Sequence, residues 1–288
     1  MQRTHHTYDM PGAHRIRSND GNYGNHRNHA RNTTRMNPSL FDLTGKIAIV
    51  TGSNTGLGAG MAVALAQAGC DIVGVYRSAP GDTPGAIREI GRRCVDVQAD
   101  LNTIEPIARI VQEALDAFGR IDILINNAGT IRRNDALNFT EEDWDAVTGV
   151  NLKTVFFLAQ AVARQFVAQQ GGGKIINIAS MLSFQGGVRV PSYTAAKSGV
   201  LGLTRLLANE WAERGINVNA IAPGYMATRN TEPLRDDARR HDEILSRIPA
   251  GRWGVPDDLA GPVVFLASAA SDYVHGHTLA VDGGWLAR

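Results

Sequence analysis

The chain has 288 residues, 43% of them hydrophobic and 20% charged, which is enough apolar material to bury the core of one α/β domain of this size. Twenty-nine Lys and Arg stand against 28 Asp and Glu, for a formal net charge of +1, and no basic stripe with interleaved aromatics runs through the body, which argues against a nucleic-acid partner. No uninterrupted apolar run of eighteen residues and no signal-peptide core occurs, so the expectation is a cytoplasmic protein with no membrane partner.

Residues 1–38 are rich in His, Asn and Arg and hold no Leu, Val or Phe, a composition that predicts a disordered N-terminal extension. Five histidines lie there, His5, His6, His14, His26 and His29, but their scattered spacing does not describe a metal site, and no metal is expected. Residues 39–288 then form a single domain. Cys70 and Cys94 lack metal-ligand spacing and each precedes an apolar run, so both are expected as buried, reduced thiols.

From Lys46 onward, short β-branched runs alternate with amphipathic segments, the pattern of repeated βαβ units around a parallel sheet. Strands are predicted at 46–51, 71–76, 93–97, 121–126, 174–179, 216–221 and 277–281, and helices at 57–68, 103–118, 140–168, 192–213 and 256–268. Thr140 with Asp143 has the spacing of a capping box for the third helix. The fold class is α/β, a Rossmann-type doubly wound sheet of seven parallel strands with helices on both faces.

The first strand runs into Thr51-Gly52-Ser53-Asn54-Thr55-Gly56-Leu57-Gly58 and then directly into a helix. Glycines in a strand-turn-helix let backbone N–H groups approach a pyrophosphate, whose charge suits the helix N-terminus. The second strand ends in Val75-Tyr76-Arg77, without the acid that usually reads an NAD ribose; Arg77 either meets a 2′-phosphate or is solvated. The third ends at Asp100-Leu101, where Asp100 either accepts from an adenine amine or caps the next helix. Asn126-Asn127-Ala128-Gly129, Ser180 and the turn Pro223-Gly224-Tyr225-Met226-Ala227-Thr228 all fall at carboxyl ends of strands, where α/β ligands bind. Asn151 lies inside a predicted helix, where its amide can disturb the ladder and hold a water.

Pro191 and Ser192 open the helix that carries Tyr193 and Lys197, four apart and therefore on one face. A free phenol titrates near 10, roughly three units above neutrality, and a neighbouring ammonium favours its ionised form. Such a tyrosine can serve as acid and base.

The glycine turn, Asn126 to Gly129, Ser180 followed thirteen residues later by Tyr193 and then Lys197, and Pro223-Gly224 stand in one order that resembles the short-chain dehydrogenase/reductase family over residues 41–288. The resemblance implies a nicotinamide dinucleotide held by Gly52, Asn54, Thr55, Gly56, Leu57, Gly58, Arg77, Asp100, Leu101, Asn127, Ala128, Gly129, Tyr193, Lys197, Pro223, Gly224, Met226 and Thr228. It makes Tyr193 the acid and base, Lys197 the group that binds the ribose and lowers the tyrosine pKa, Ser180 the residue that polarises the substrate carbonyl, and Asn151 the support of a proton relay.

Within the family, Ile131-Arg132-Arg133, the segment Ala179 to Gly187, Arg189 to Tyr193, Ile248 to Gly254 and the ending Ala280 to Arg288 resemble the 2-dehydro-3-deoxy-D-gluconate 5-dehydrogenases, also described as 2-deoxy-D-gluconate 3-dehydrogenases. That implies NAD(H), a small sugar-acid substrate and a homotetramer; Arg77 keeps NADP(H) open. Substrate contacts are expected from Arg132, Arg133, Ser180, Gln185, Arg189, Tyr193 and Arg252, with Arg132 or Arg133 clamping the carboxylate. The alternatives are a gluconate 5-dehydrogenase or 3-oxoacyl reductase of the same family, or a dinucleotide-sensing regulator without turnover.

Overall fold

The computed structural model describes residues 38–288. The disorder expected of the N-terminal extension and the five histidines in it lie outside the described residues, except that Pro38 opens a 3₁₀ turn, Pro38–Phe41.

Seven strands, β1 (Ile47–Thr51), β2 (Asp71–Tyr76), β3 (Cys94–Gln98), β4 (Ile123–Asn126), β5 (Gly173–Ile178), β6 (Ile216–Pro223) and β7 (Thr278–Val281), form one parallel sheet in the order β3-β2-β1-β4-β5-β6-β7. The order reverses between β1 and β4, which opens a crevice at their carboxyl ends. Every residue of β1, β4 and β6 is buried, as expected of strands covered on both faces.

Helices α1 (Gly56–Gln67), α2 (Thr83–Glu89) and α9 (Ala260–Ala267) cover one face, with Met61, Leu65, Ile87, Val263 and Leu266 packed on Val50, Ile72 and Ile176. On the other face α3 (Ile107–Phe118), α5 (Thr154–Ala168) and α6 (Pro191–Trp211) bury Ile110, Leu158, Val162, Phe166 and Leu207 against Ile49, Val73 and Ile175. The short α4 (Glu141–Thr148), α7 (Glu232–Arg235) and α8 (Ala238–Leu245) belong to the segments above the carboxyl edge.

The helix predicted over 140–168 is interrupted: a π turn, Gly149–Lys153, separates α4 from α5. Together they span 28 residues and contain an 18-residue window of mean hydropathy 1.4, long and apolar enough to cross a membrane, yet α5 lays Leu158, Val162 and Phe166 on the sheet as a core helix. Thr140 caps α4 by accepting from the Asp143 N–H at 3.2 Å, but the Asp143 carboxylate turns to Arg132, so only half of the expected box is made. Cys70 is buried, whereas Cys94, at the start of edge strand β3, is only half-buried. Burial pushes the Cys70 thiol up, and pushes Cys94 up to about 12, so neither ionises near neutrality.

Candidate active site

A cleft of about 370 Å³ opens at the carboxyl edge, over the point where strand order reverses. Its floor is the glycine turn. Gly52 and Gly56 have φ of +65° and +58°, and a Cβ on Gly58 would run into the Gly52 carbonyl and the Asn127 amide. The α1 N-cap, Thr55, makes no side-chain capping bond, which leaves the first N–H groups of the helix directed at the cleft. Arg229, whose Nη2 reaches Thr55 Oγ1 at 3.5 Å, stands over the same turn. A cradle without side chains, a helix N-terminus and a cleft of this size fit a dinucleotide.

Asn127 braces the turn: its Nδ2 donates to the Thr51 and Gly52 carbonyls at 2.9 and 3.3 Å, while the main-chain N–H groups of Asn127 and Ala128 donate to Thr51 Oγ1. Arg77 stands exposed on the wall, and among the described residues nothing pairs its guanidinium. Asp100 also lines the wall but closes its own turn, accepting from Asn102 N and Nδ2 at 3.0 and 3.3 Å. The next helix starts only at Ile107, so Asp100 is not its cap.

Of the remaining expected cofactor contacts, Asn54, Leu57, Leu101, Gly129, Tyr193, Lys197 and Thr228 line the cleft. Pro223, Gly224 and Met226 do not. β6 continues through Pro223, and Gly224 and Met226 border a separate cavity of about 130 Å³ because Gly224 N bonds back to the Val281 carbonyl. Thr130, Val150 and Asn230 line the cleft and were missed in the sequence reading. Thr130 directly follows the turn at 126–129 and Asn230 lies two residues beyond Thr228, which was the available signal.

Tyr193 and Lys197 meet on the cleft wall, the ammonium 5.7 Å from the ring centroid. Lys197 Nζ donates to the Ile178 carbonyl at 2.6 Å, at the end of β5. Ser180, two residues on, accepts from Leu182 N at 3.1 Å, and Ser183 Oγ donates to the Lys197 carbonyl at 2.7 Å, which ties the β5 loop to α6. Burial pulls Lys197 down to about 8. It pushes Tyr193 up, and the groups that oppose this are a hydrogen bond with Ser180 and the charge of Arg133. The Lys197 ammonium lies over the Tyr193 ring and is held there by the Ile178 carbonyl.

Asn151 is buried in the π turn. Its Oδ1 accepts from Thr130 N at 2.9 Å and its Nδ2 donates to Thr130 O at 2.8 Å, so the amide braces the loop after β4. The extra residue of the π turn lets it point inward without a break in the helix.

The four arginines separate. Arg132 is exposed and lies 3.5 Å from Asp143. Arg133 donates to the Asn230 carbonyl at 3.0 Å, and its charge is felt by both Tyr193 and Tyr225. Arg189 is exposed with φ +63°, and its carbonyl accepts from Asn134 N. Arg252 is engaged at both terminal nitrogens by Asp258, 2.7 Å each. That guanidinium in turn holds Asp258 down to about 2. Gln185 is half-buried and off the cleft wall. Among the described residues no His, Cys, Asp and Glu cluster suited to a metal ion occurs.

With a doubly wound sheet, a glycine cradle, Tyr193 and Lys197 on the cleft wall and Ser180 just beyond the end of β5, the chain belongs to the short-chain dehydrogenase/reductase family and is an NAD(P)-dependent dehydrogenase. The family model that matches, over residues 52–286, is described as enoyl-(acyl carrier protein) reductase. The chain is 65% identical over 250 residues to the 2-dehydro-3-deoxy-D-gluconate 5-dehydrogenase of Escherichia coli (strain K12), which covers 87% of this chain and 99% of that protein. Among solved structures, a protein from Agrobacterium tumefaciens with bound NADP, provisionally called a 2-deoxy-D-gluconate 3-dehydrogenase, is 57% identical with a TM-score of 0.81, covering 86% of this chain and 99% of its own. A gluconate 5-dehydrogenase from Burkholderia cenocepacia J2315 in complex with NADP and tartrate is 41% identical, with a TM-score of 0.83 and coverage of 87% and 99%.

Proposed function

We propose that the protein interconverts 2-keto-3-deoxygluconate and its 2,5-diketo form, as a 2-dehydro-3-deoxy-D-gluconate 5-dehydrogenase, using NAD(H) or NADP(H). The observation that carries this is the 65% identity to the E. coli enzyme over nearly its full length. Arg133, which donates to the carbonyl of the cleft-lining Asn230 at 3.0 Å, is the candidate partner of the substrate carboxylate.

The bound dinucleotide supplies or accepts the hydride. Ser180 Oγ orients the carbonyl oxygen, and the Tyr193 hydroxyl gives that oxygen its proton in reduction and takes it back in oxidation. Burial pushes the phenol up, which keeps it in the protonated form that donates to a carbonyl oxygen. Lys197 holds the ribose side of the cleft, and any relay at Asn151 would run through its main chain, since its amide is engaged by Thr130. Arg77 stands at the cleft mouth with no acid beside it at the end of β2, which suits a 2′-phosphate, and both solved relatives hold NADP.

We also place the enzyme in the cytoplasm as a homotetramer. Trp144, Val167 and Leu206 expose apolar surface on α4, α5 and α6, which a subunit contact would cover.

A panel of 2-keto-3-deoxygluconate, gluconate and a 3-oxoacyl thioester, each with its redox partner, tests the reading. The highest kcat/KM is expected on the deoxy-keto acid, with Arg133→Ala losing at least about tenfold on the acid and little on a neutral analogue. A highest value on the thioester, or equal losses on acid and neutral analogue, overturns it.

A further inference from the structure

Tyr193, Lys197, Val200 and Thr204 recur at +4, +7 and +11 and share one face of α6. The first two do the chemistry, but their atoms are only as well placed as the helix that bears them. The apolar contacts of α6, through Ala196, Val200, Leu201, Leu207 and Ala208, are non-directional and tolerate small slides along the sheet.

A directional chain opposes such a slide. Asn126 Nδ2, on β4, donates to Asn177 Oδ1 on β5 at 3.0 Å. Asn177 Nδ2 donates to Thr204 Oγ1 at 3.0 Å, and Thr204 Oγ1 donates to the Val200 carbonyl at 2.8 Å. Asn126 also reaches the Val155 carbonyl of α5 at 3.4 Å. The three side chains are 3%, 0% and 0% exposed. Asn126 and Asn177 lie directly opposite each other in the β4–β5 register, so the chain crosses the sheet into the middle of α6.

β5 therefore holds α6 at two points. The Ile178 carbonyl takes the Lys197 ammonium, and Asn177, one residue earlier, takes Thr204, seven residues or roughly 10 Å further along the helix. One point leaves the helix free to pivot; two set its depth and rotation. Apolar residues of similar volume would stabilise this interior as well or better, because buried polar groups recover little beyond their desolvation cost.

We propose that Asn177 and Thr204 are positioning residues that lock the register of α6 on β5 and thereby hold the Tyr193 hydroxyl at the distance from Ser180 that proton transfer requires. The proposal rests on the reading of Tyr193 as acid and base. Displacement of a reacting group by about 1 Å from a remote site can lower a rate by about a hundredfold.

The test compares Thr204→Val, Thr204→Ser and the double variant Asn177→Leu with Thr204→Val in the full chain, with Tyr193→Phe as control. Thr204→Val is expected to lower kcat by at least about tenfold while the dinucleotide Kd stays within about threefold, and Thr204→Ser, which keeps the hydroxyl, to retain at least about half the rate. The double variant removes the Asn177–Thr204 pair at once but leaves Asn126 Nδ2 with only the Val155 carbonyl at 3.4 Å, so it is expected to melt somewhat below the parent, still to fold and to turn over slowly. A folded double variant with parental kcat overturns the proposal, as does a Thr204→Ser as slow as Thr204→Val, which would assign the effect to packing. Failure of both Val-bearing variants to fold overturns it too, because the pair is then structural. If Tyr193→Phe keeps its rate, it is the acid-base reading that fails.

Discussion

Lys197 shows how one buried residue links stability to catalysis. Its ammonium is 3% exposed and bonded to one carbonyl, and its value falls from 10.5 to about 8 because burial penalises the charge. The unfolded chain holds this proton up to a higher pH than the folded chain does, so Lys197 makes stability rise between about pH 8 and 10.5, and below about 8 it costs the fold its full desolvation penalty. Lys197→Met is therefore expected to raise the melting temperature at pH 7, by about 1–3 kcal/mol of stability, and to abolish turnover. Paired melting and steady-state measurements at pH 7 check this; a variant that melts lower removes the burial argument. On the proposed reading, Arg77 at the cleft mouth would favour NADP over NAD. Arg77→Ala is expected to raise KM for NADP at least about tenfold and leave KM for NAD within about twofold, and equal changes in both would show a solvated side chain.

At the scale of elements, the strands were the most legible. β2 is observed at the predicted residues, and the others shift by no more than two residues at either end, because strands buried on both faces read as unbroken β-branched runs. The short α2, α7 and α8 were missed, since seven, four and eight residues do not establish a 3.6 period and α8 is mostly charged. The π turn was invisible for a different reason: one extra residue in a turn leaves the apolar pattern on either side intact. The glycine turn was read correctly, and its third glycine carries a sharp expectation. A Cβ at Gly58 meets the Gly52 carbonyl and the Asn127 amide that braces the turn. Gly58→Ala should cost about 1–3 kcal/mol by overpacking and weaken dinucleotide binding at least about tenfold, readable by calorimetry. Unchanged binding would mean that the turn does not hold the phosphates.

For the whole molecule, four chains in solution are expected, with Trp144, Val167 and Leu206 covered. Sedimentation should give a mass near four times that of one chain, and Leu206→Glu should shift it toward smaller species; a monomer in the parent protein would overturn the assembly.

The family and the seven-stranded parallel sheet were legible in the chain alone, because strand periodicity and motif spacing are local and survive in one dimension; the strand order came only with the fold. The partners of the arginines were not legible either. Arg132, Arg133, Arg189 and Arg252 look alike in sequence, and only the packed structure sends Arg252 to Asp258 and Arg133 to the Asn230 carbonyl. The same holds for the direction of the Tyr193 shift, which depends first on burial and then on where Ser180 and Arg133 lie in space. Charge partners and desolvation are properties of distance, and distance between residues far apart in the chain exists only once it has folded.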